Sequence, residues 1–261
     1  MITDVNALFG PWPIQRTLYP DLGALDAAYA ECGIDEVWLS ATESILAPDP
    51  RDHDRRLFSQ MAAFPRFRPV LTLRPTLSEA TRSLLEAARN KSLAPAPVAL
   101  KLFPSYHSYP LDGPEIEAAA TLARCLDRPL LVQIRINDER NQPPVLQVPP
   151  VDAEALATCS RNYPDVTFIA LSATSSELDT LCGGSSRLYA DSAFLDGADA
   201  LLDADKRIGS DRLCTGSMAG LSYPHAATLK LCWSRLSASK RGRIAYPPRL
   251  FHLAEGGKHA R

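Results

Sequence analysis

Eight short apolar runs alternate with helical patterns along almost the whole chain, and this limits what it can fold into. The runs are 2–8, 34–40, 67–73, 98–103, 130–136, 166–171, 187–191 and 212–216. They are continuous rather than alternately polar, as expected of strands buried on both faces of a parallel sheet. Helices are expected between them, over 22–32, 52–64, 76–90, 114–126, 152–161, 175–181, 198–206 and 224–237. Asp21 and Asp152 stand where N-caps belong, Gly33 where a helix should stop, and Pro114 at a first helical turn. Thr76 and Glu79 have the spacing of a capping box. An extra C-terminal helix is expected over 244–253, broken near Pro247-Pro248. Eight strand–helix units predict an α/β fold, a closed (β/α)8 TIM barrel. It forms a single domain over residues 1–255, with a flexible tail at 256–261. An open doubly wound sheet would want a glycine-rich phosphate turn after the first strand, and Phe9-Gly10-Pro11-Trp12 is not one.

The length of 261 residues suits such a barrel, which typically takes about 250. A net charge of −2 makes no electrostatic case for nucleic acid or an anionic membrane. No apolar run approaches the roughly 20 residues of a membrane helix. Met1-Ile2-Thr3-Asp4 lacks the basic start of a signal peptide, so the chain is expected to begin directly in structure and to be cytoplasmic. The 6 cysteines form no C-x-x-C pair and read as reduced, small core residues, in keeping with a reducing compartment. The 22 prolines cluster between the periodic segments and punctuate them.

Parallel barrels place their chemistry at the C-terminal ends of the strands, and polar residues gather there. Lys101 lies in the fourth strand between Leu100 and Leu102. Pointing inward, it would be a buried amine suited to act as a base, a Schiff-base nucleophile or an anion anchor. Pairing with a neighbouring carboxylate is the plainer reading. His107 follows that strand, near Tyr106 and Tyr109, as a candidate acid/base or a packed loop residue. Arg135 or Arg140 could clamp a carboxylate in a bidentate fork. Asp138 could act in catalysis or pair with Arg140 to shape its own loop. Asp191 ends the seventh strand, facing a pocket, and Asp4 sits deeper on the first. The proline-rich loop 137–150 is long enough to serve as a lid. Trp12 is expected to pack on the rim.

The chain resembles the amidohydrolase-related barrels. The resemblance rests on Asp4 to Pro13, Val98 to Pro104, Arg128 to Gln133, Tyr163 to Ser172 and Asp211 to Met218. It implies a metal-dependent hydrolase or decarboxylase acting on small carboxylic or cyclic compounds. It also implies metal ligands at the ends of strands one, five, six and eight. Those places here hold Asn6 and Leu8, Gln133, Ser172 and Met218. Leu8 has no donor atom, Met218 only a soft thioether, and the other three offer neutral oxygens. The expectation is therefore no catalytic metal and no other cofactor.

Asn6, Gln133 and Ser172 could instead line a polar pocket with Tyr106, Arg135 and Arg140. The expected function is a metal-independent hydrolase or lyase for a small carboxylated or lactone-like molecule, with Lys101, His107, Asp138 and Asp191 as the catalytic candidates. A barrel that has lost catalysis and kept a ligand-binding or structural role is the alternative. The expected partner is a small, anionic ligand or substrate, and a homodimer is possible on either reading.

Overall fold

The structure, a computed structural model, describes residues 1–144, 147–247 and 250. Eight parallel strands stand in sequence order, each bonded to the next. They are β1 (Thr3–Phe9), β2 (Glu36–Ala41), β3 (Phe67–Leu73), β4 (Ala99–Leu102), β5 (Leu130–Gln133), β6 (Phe168–Leu171), β7 (Leu188–Asp191) and β8 (Leu213–Cys214). The helices are α1 (Leu22–Glu31), α2 (Arg51–Met61), α3 (Ser78–Arg89), α4 (Pro104–His107), α5 (Pro114–Leu126), α6 (Ala153–Asn162), α7 (Glu177–Cys182), α8 (Ala200–Ile208), α9 (Pro224–Trp233) and α10 (Ala238–Ala245). The architecture is the single-domain (β/α)8 barrel expected from the alternation of elements.

The seam is irregular because β8 has only two residues. The chain beyond it closes the ring. Val5 N donates to Thr215 O at 3.0 Å, Met218 N to Asn6 O at 2.8 Å and Leu8 N to Ala219 O at 2.8 Å. The register of β1 against β2 shifts between Asp4 and Ala7. At this bulge Asn6 N bonds the Asp4 side chain at 2.9 Å instead of the ladder. Bulges of this kind re-aim a side chain near a functional face.

Side chains of a strand alternate between faces, so the barrel interior is layered. One layer is apolar, with Val5, Trp38, Val70, Ala99, Leu131, Ile169, Tyr189 and Cys214 in a single cluster that Leu250 joins. Two residues further along their strands come Ser40, Thr72, Lys101, Gln133 and Asp191, a polar layer near the C-terminal ends.

Local chemistry accounts for where the elements differ from expectation. The Thr76–Glu79 capping box does not form, and α3 starts at Ser78 after Leu77 with no side-chain cap. The fifth strand ends at Gln133, not Ile136, because Gln133 Nε2 turns back onto Arg135 O at 2.6 Å. Residues 104–107 form a short helix within the expected loop. The helix expected over 224–237 ends at Trp233, where Ser234 is extended and its hydroxyl bonds Asp199 at 2.8 Å. The extra C-terminal helix expected over 244–253 lies partly outside the described residues; α10, whose N-cap Ser237 bonds Lys240 N through its hydroxyl, ends at Ala245. The expected tail at 256–261 lies outside the described residues. All six cysteines are free, but Cys125 and Cys232 are exposed rather than core. No described helix is long and apolar enough to cross a membrane.

Candidate functional site at the barrel mouth

Apart from Thr72, whose hydroxyl is buried without a hydrogen-bond partner, the polar layer belongs to one hydrogen-bonded network on the barrel axis. Lys101 Nζ donates to Asn6 Oδ1 at 3.1 Å and to Ser40 Oγ at 3.4 Å. The amide of Asn6 donates onward to Asp191 Oδ2 at 2.7 Å and Ser172 Oγ at 3.2 Å. Gln133 Nε2 donates to Ser172 Oγ at 2.9 Å, and Ser172 N donates to Asp191 Oδ1 at 2.8 Å. Ser172 has φ +61°, so its carbonyl and amide are aimed apart, at Arg135 and Asp191. All five of Asn6, Lys101, Gln133, Ser172 and Asp191 are buried. The sequence placed these five at one end of the barrel. It missed Ser40, although its position ending the second apolar run was the available signal.

Burial governs the electrostatics. Desolvation lowers the Lys101 amine to about 7, against the partly offsetting charges of Asp191 and Asp4. The Asp191 carboxyl is pushed up to about 6 by burial, opposed by bonds from Ser172 N and the Asn6 amide. Asp4 is also raised by burial, although Asn6 N, Tyr29 OH, Ser217 N and the Ser217 hydroxyl all bond it. Among the polar atoms of the network, Gln133 Oε1 is buried without a hydrogen-bond partner.

A roof covers this layer. Leu8, Trp12, Ile45, Phe103, Ile136, Met218 and Leu221 form one apolar cluster over the mouth. Trp12 therefore covers the mouth rather than sitting on its rim. It is 5% exposed, and its indole N–H donates to Asn137 Oδ1 at 3.3 Å. Asn137 in turn donates to Gln15 Oε1 at 2.9 Å. The start of the 137–150 loop is thus tied to the loop after β1.

The remaining candidates lie away from the axis and are engaged elsewhere. The Arg135 fork is taken by Glu177, with Nη1 to Oε2 at 2.7 Å, and by Ser172 O at 2.7 Å. Arg140 and Asp138 pair with each other within their own loop, where Arg140 is exposed. His107 is buried against Phe103 and Tyr109 and bonds Ile45 O at 2.9 Å. Burial lowers its imidazole to about 4, so it is neutral at physiological pH. Tyr106 packs edge-on against Trp12, with ring centroids 6.0 Å apart, at the side of the roof.

The donor set does not fit a divalent metal. Asn6, Gln133 and Ser172 present neutral groups already bonded to one another, while Leu8 and Met218 belong to the roof. Among the described residues, no three His, Cys, Asp or Glu side chains converge on a metal-sized point.

No family model and no curated protein sequence matches this chain. Solved structures do. A 2,6-dihydroxybenzoate decarboxylase, solved with 2,6-dihydroxybenzoate, superposes with a TM-score of 0.69 at 14% identity, covering 96% of this chain and 98% of its own. At this identity the likeness shows a shared (β/α)8 barrel fold. A 5-carboxyvanillate decarboxylase from Sphingomonas paucimobilis superposes with a TM-score of 0.64 at 14% identity, over 87% of this chain and 81% of that one. A putative amidohydrolase from Staphylococcus aureus gives 0.64 at 13% identity, over 94% and 97%.

Proposed function

We propose that this barrel takes a small carboxylated molecule at its C-terminal mouth and acts on it as a lyase or hydrolase with its own side chains, without a resident metal. The observation that carries this reading is Lys101, the amine on the barrel axis, held by Asn6 and Ser40 beneath an apolar roof. An ammonium at this point meets a carboxylate in a dry setting, where a charge-assisted bond is strong. Trp12, Phe103 and Ile136 would wrap an apolar or aromatic body, and Gln133 Oε1 would accept a hydrogen from a ligand hydroxyl. In a decarboxylation the bond to the carboxylate carbon breaks, carbon dioxide leaves with the charge on the remaining carbon, and the Lys101 ammonium supplies the proton that replaces it. Solvent then reprotonates the amine. Entry requires the roof to open at the Trp12–Asn137 bond. The decarboxylase solved with 2,6-dihydroxybenzoate supports the choice of substrate class through its shared fold alone.

A second reading, binding without turnover, is favoured by the way Asn6, Ser172 and Asp191 already satisfy one another under a closed roof.

Titration with 2,6-dihydroxybenzoate in the presence of a chelator tests both. Binding is expected, and Lys101→Met is expected to weaken it at least about 10-fold, the loss of one charge-assisted hydrogen bond. Unchanged affinity in that variant overturns the role of Lys101. Product formation that survives chelation supports the catalytic reading, whereas binding with no product from a panel of aromatic acids supports the second. In parallel, 1 mM zinc or manganese is expected to move the melting temperature by less than about 1 °C, because no donor set rewards the folded state. Near-stoichiometric metal in the purified protein would contradict this.

A further inference from the structure

A second cavity, of about 410 Å3, opens on the same face of the barrel but outside the roof, and is walled by Phe9, Pro11 and Leu57. Its size lies in the usual range for small-molecule sites. Beside Thr17, Tyr19 and Gln60, it is lined by three ionisable side chains from two elements. His53 and Arg56 stand three residues apart on α2 and so share a helix face. Glu43 comes from the 3-10 turn Glu43–Ile45 after β2. His53 Nδ1 lies 3.5 Å from Glu43 Oε1, and Arg56 Nη1 lies 3.9 Å from the same oxygen. Several arginines close on a carboxylate, as in Arg66–Asp26 and Arg124–Asp165, both at 2.7 Å. Here neither His53 nor Arg56 does. His53 Nδ1 is buried without a hydrogen-bond partner, and the Arg56 side chain is 63% exposed with its fork open.

A free guanidinium fork, an imidazole beside a carboxylate, and an apolar wall make a recognisable set. We propose that this rim cavity binds a small carboxylate with an apolar body. Arg56 takes the carboxylate, and His53, beside Glu43, is the second donor. The site is independent of the one at the axis. It also touches the roof through two elements, since Pro11 walls the cavity while Trp12 roofs the mouth, and Glu43 lines the cavity while Ile45 lies in the roof.

The test is a benzoate titration followed by amide NMR and calorimetry on the wild type, Arg56→Gln, His53→Gln and Lys101→Met. Benzoate is expected to shift amides near Phe9 and Leu57, and those shifts are expected to saturate at the same concentration in Lys101→Met as in the wild type, whatever happens at the axial site. Arg56→Gln is expected to weaken binding at least about 10-fold without changing the melting temperature, because that side chain is exposed. His53→Gln should weaken it less. Wild-type affinity in Arg56→Gln, or no binding at millimolar benzoate, overturns the proposal. Binding lost only in Lys101→Met, with shifts centred on Gln133, overturns it in favour of the axial site.

Discussion

Gly220→Ala is expected to lower the melting temperature by roughly 10 °C or to prevent folding, a larger effect than most core substitutions. Gly220 has φ +100°, and a Cβ there would lie 1.9 Å from Leu8 O and 2.9 Å from Leu8 C. Both obstacles are backbone, so no side chain can rotate away. They also belong to the seam, where Leu8 N donates to Ala219 O and Leu18 N to Gly220 O at 3.0 Å. Relieving the clash means opening the junction between β1 and the chain beyond β8. A cost of about 3 kcal/mol or more follows from overpacking plus a backbone conformation closed to L side chains, and about 3 °C per kcal/mol is typical at this size. Gly33→Ala supplies the control. It also has positive φ, at +68°, but nothing lies within 4 Å of its Cβ, so only a conformational cost of about 1 kcal/mol applies. Thermal and denaturant unfolding of the two variants should differ clearly. Equal losses would show that the seam tolerates the clash and that closure does not depend on this approach.

The stability of the wild type is expected to fall as the pH rises from about 4 to 7, the reverse of what low-pKa surface carboxylates produce. Asp54 is the main cause. It lies buried on α2, where it accepts from Ser44 Oγ and from Thr72 N, each at 2.7 Å. It fills the gap where β2 and β3 diverge, since their pairing extends only to Leu39 and Pro69. Desolvation, opposed by these two bonds, pushes its carboxyl up to about 7. Between 3.8 and about 7 the folded state holds a proton that the unfolded chain has released, so raising the pH through this window favours unfolding. The deficit is complete above about 7 and amounts to at most about 4 kcal/mol. Asp191, raised to about 6, adds to the same trend, while His107, lowered to about 4, opposes it up to 6.5, so these two largely offset and the fall due to Asp54 remains.

Lys101 acts in the opposite direction at higher pH. From about 7 up to 10.5 the unfolded chain keeps a proton that the folded amine has lost, so stability rises with pH there. These groups together place a stability minimum near neutrality. Asp54→Asn keeps the shape and cannot ionise, so the slope between pH 4 and 7 should shrink by half or more. Urea unfolding of both proteins at pH 4.5 and pH 7 measures it, and identical slopes would remove Asp54 as the cause.

The barrel was legible because buried parallel strands must be apolar on both faces, so each appears as a short uninterrupted run such as Leu130 to Val132. The convergence of Asn6, Lys101, Gln133, Ser172 and Asp191 was legible for a related reason. In a parallel ring, residues ending successive strands face one mouth, whatever their separation in sequence. The fate of Arg135 was not legible. Its partner Glu177 lies 42 residues away, on a helix whose angle depends on how α7 packs. Trp12 was misjudged for a similar reason, since only the arrangement of its loop beside Asn137 carries the indole over the mouth. The rim cluster was hidden because His53, Arg56 and Glu43 meet across a helix and a turn, with no shared periodicity in the sequence.

The sequence by itself determined the order of strands and helices, the apolar layer inside the ring and the polar residues that end its strands, because these depend on residue type and short-range period. Only the tertiary structure decided that the polar groups at the mouth bond one another beneath a closed apolar roof. That outcome depends on strand stagger, on the β1 bulge at Asn6 and on loops that meet across the ring, and none of these is encoded in any one stretch of the chain.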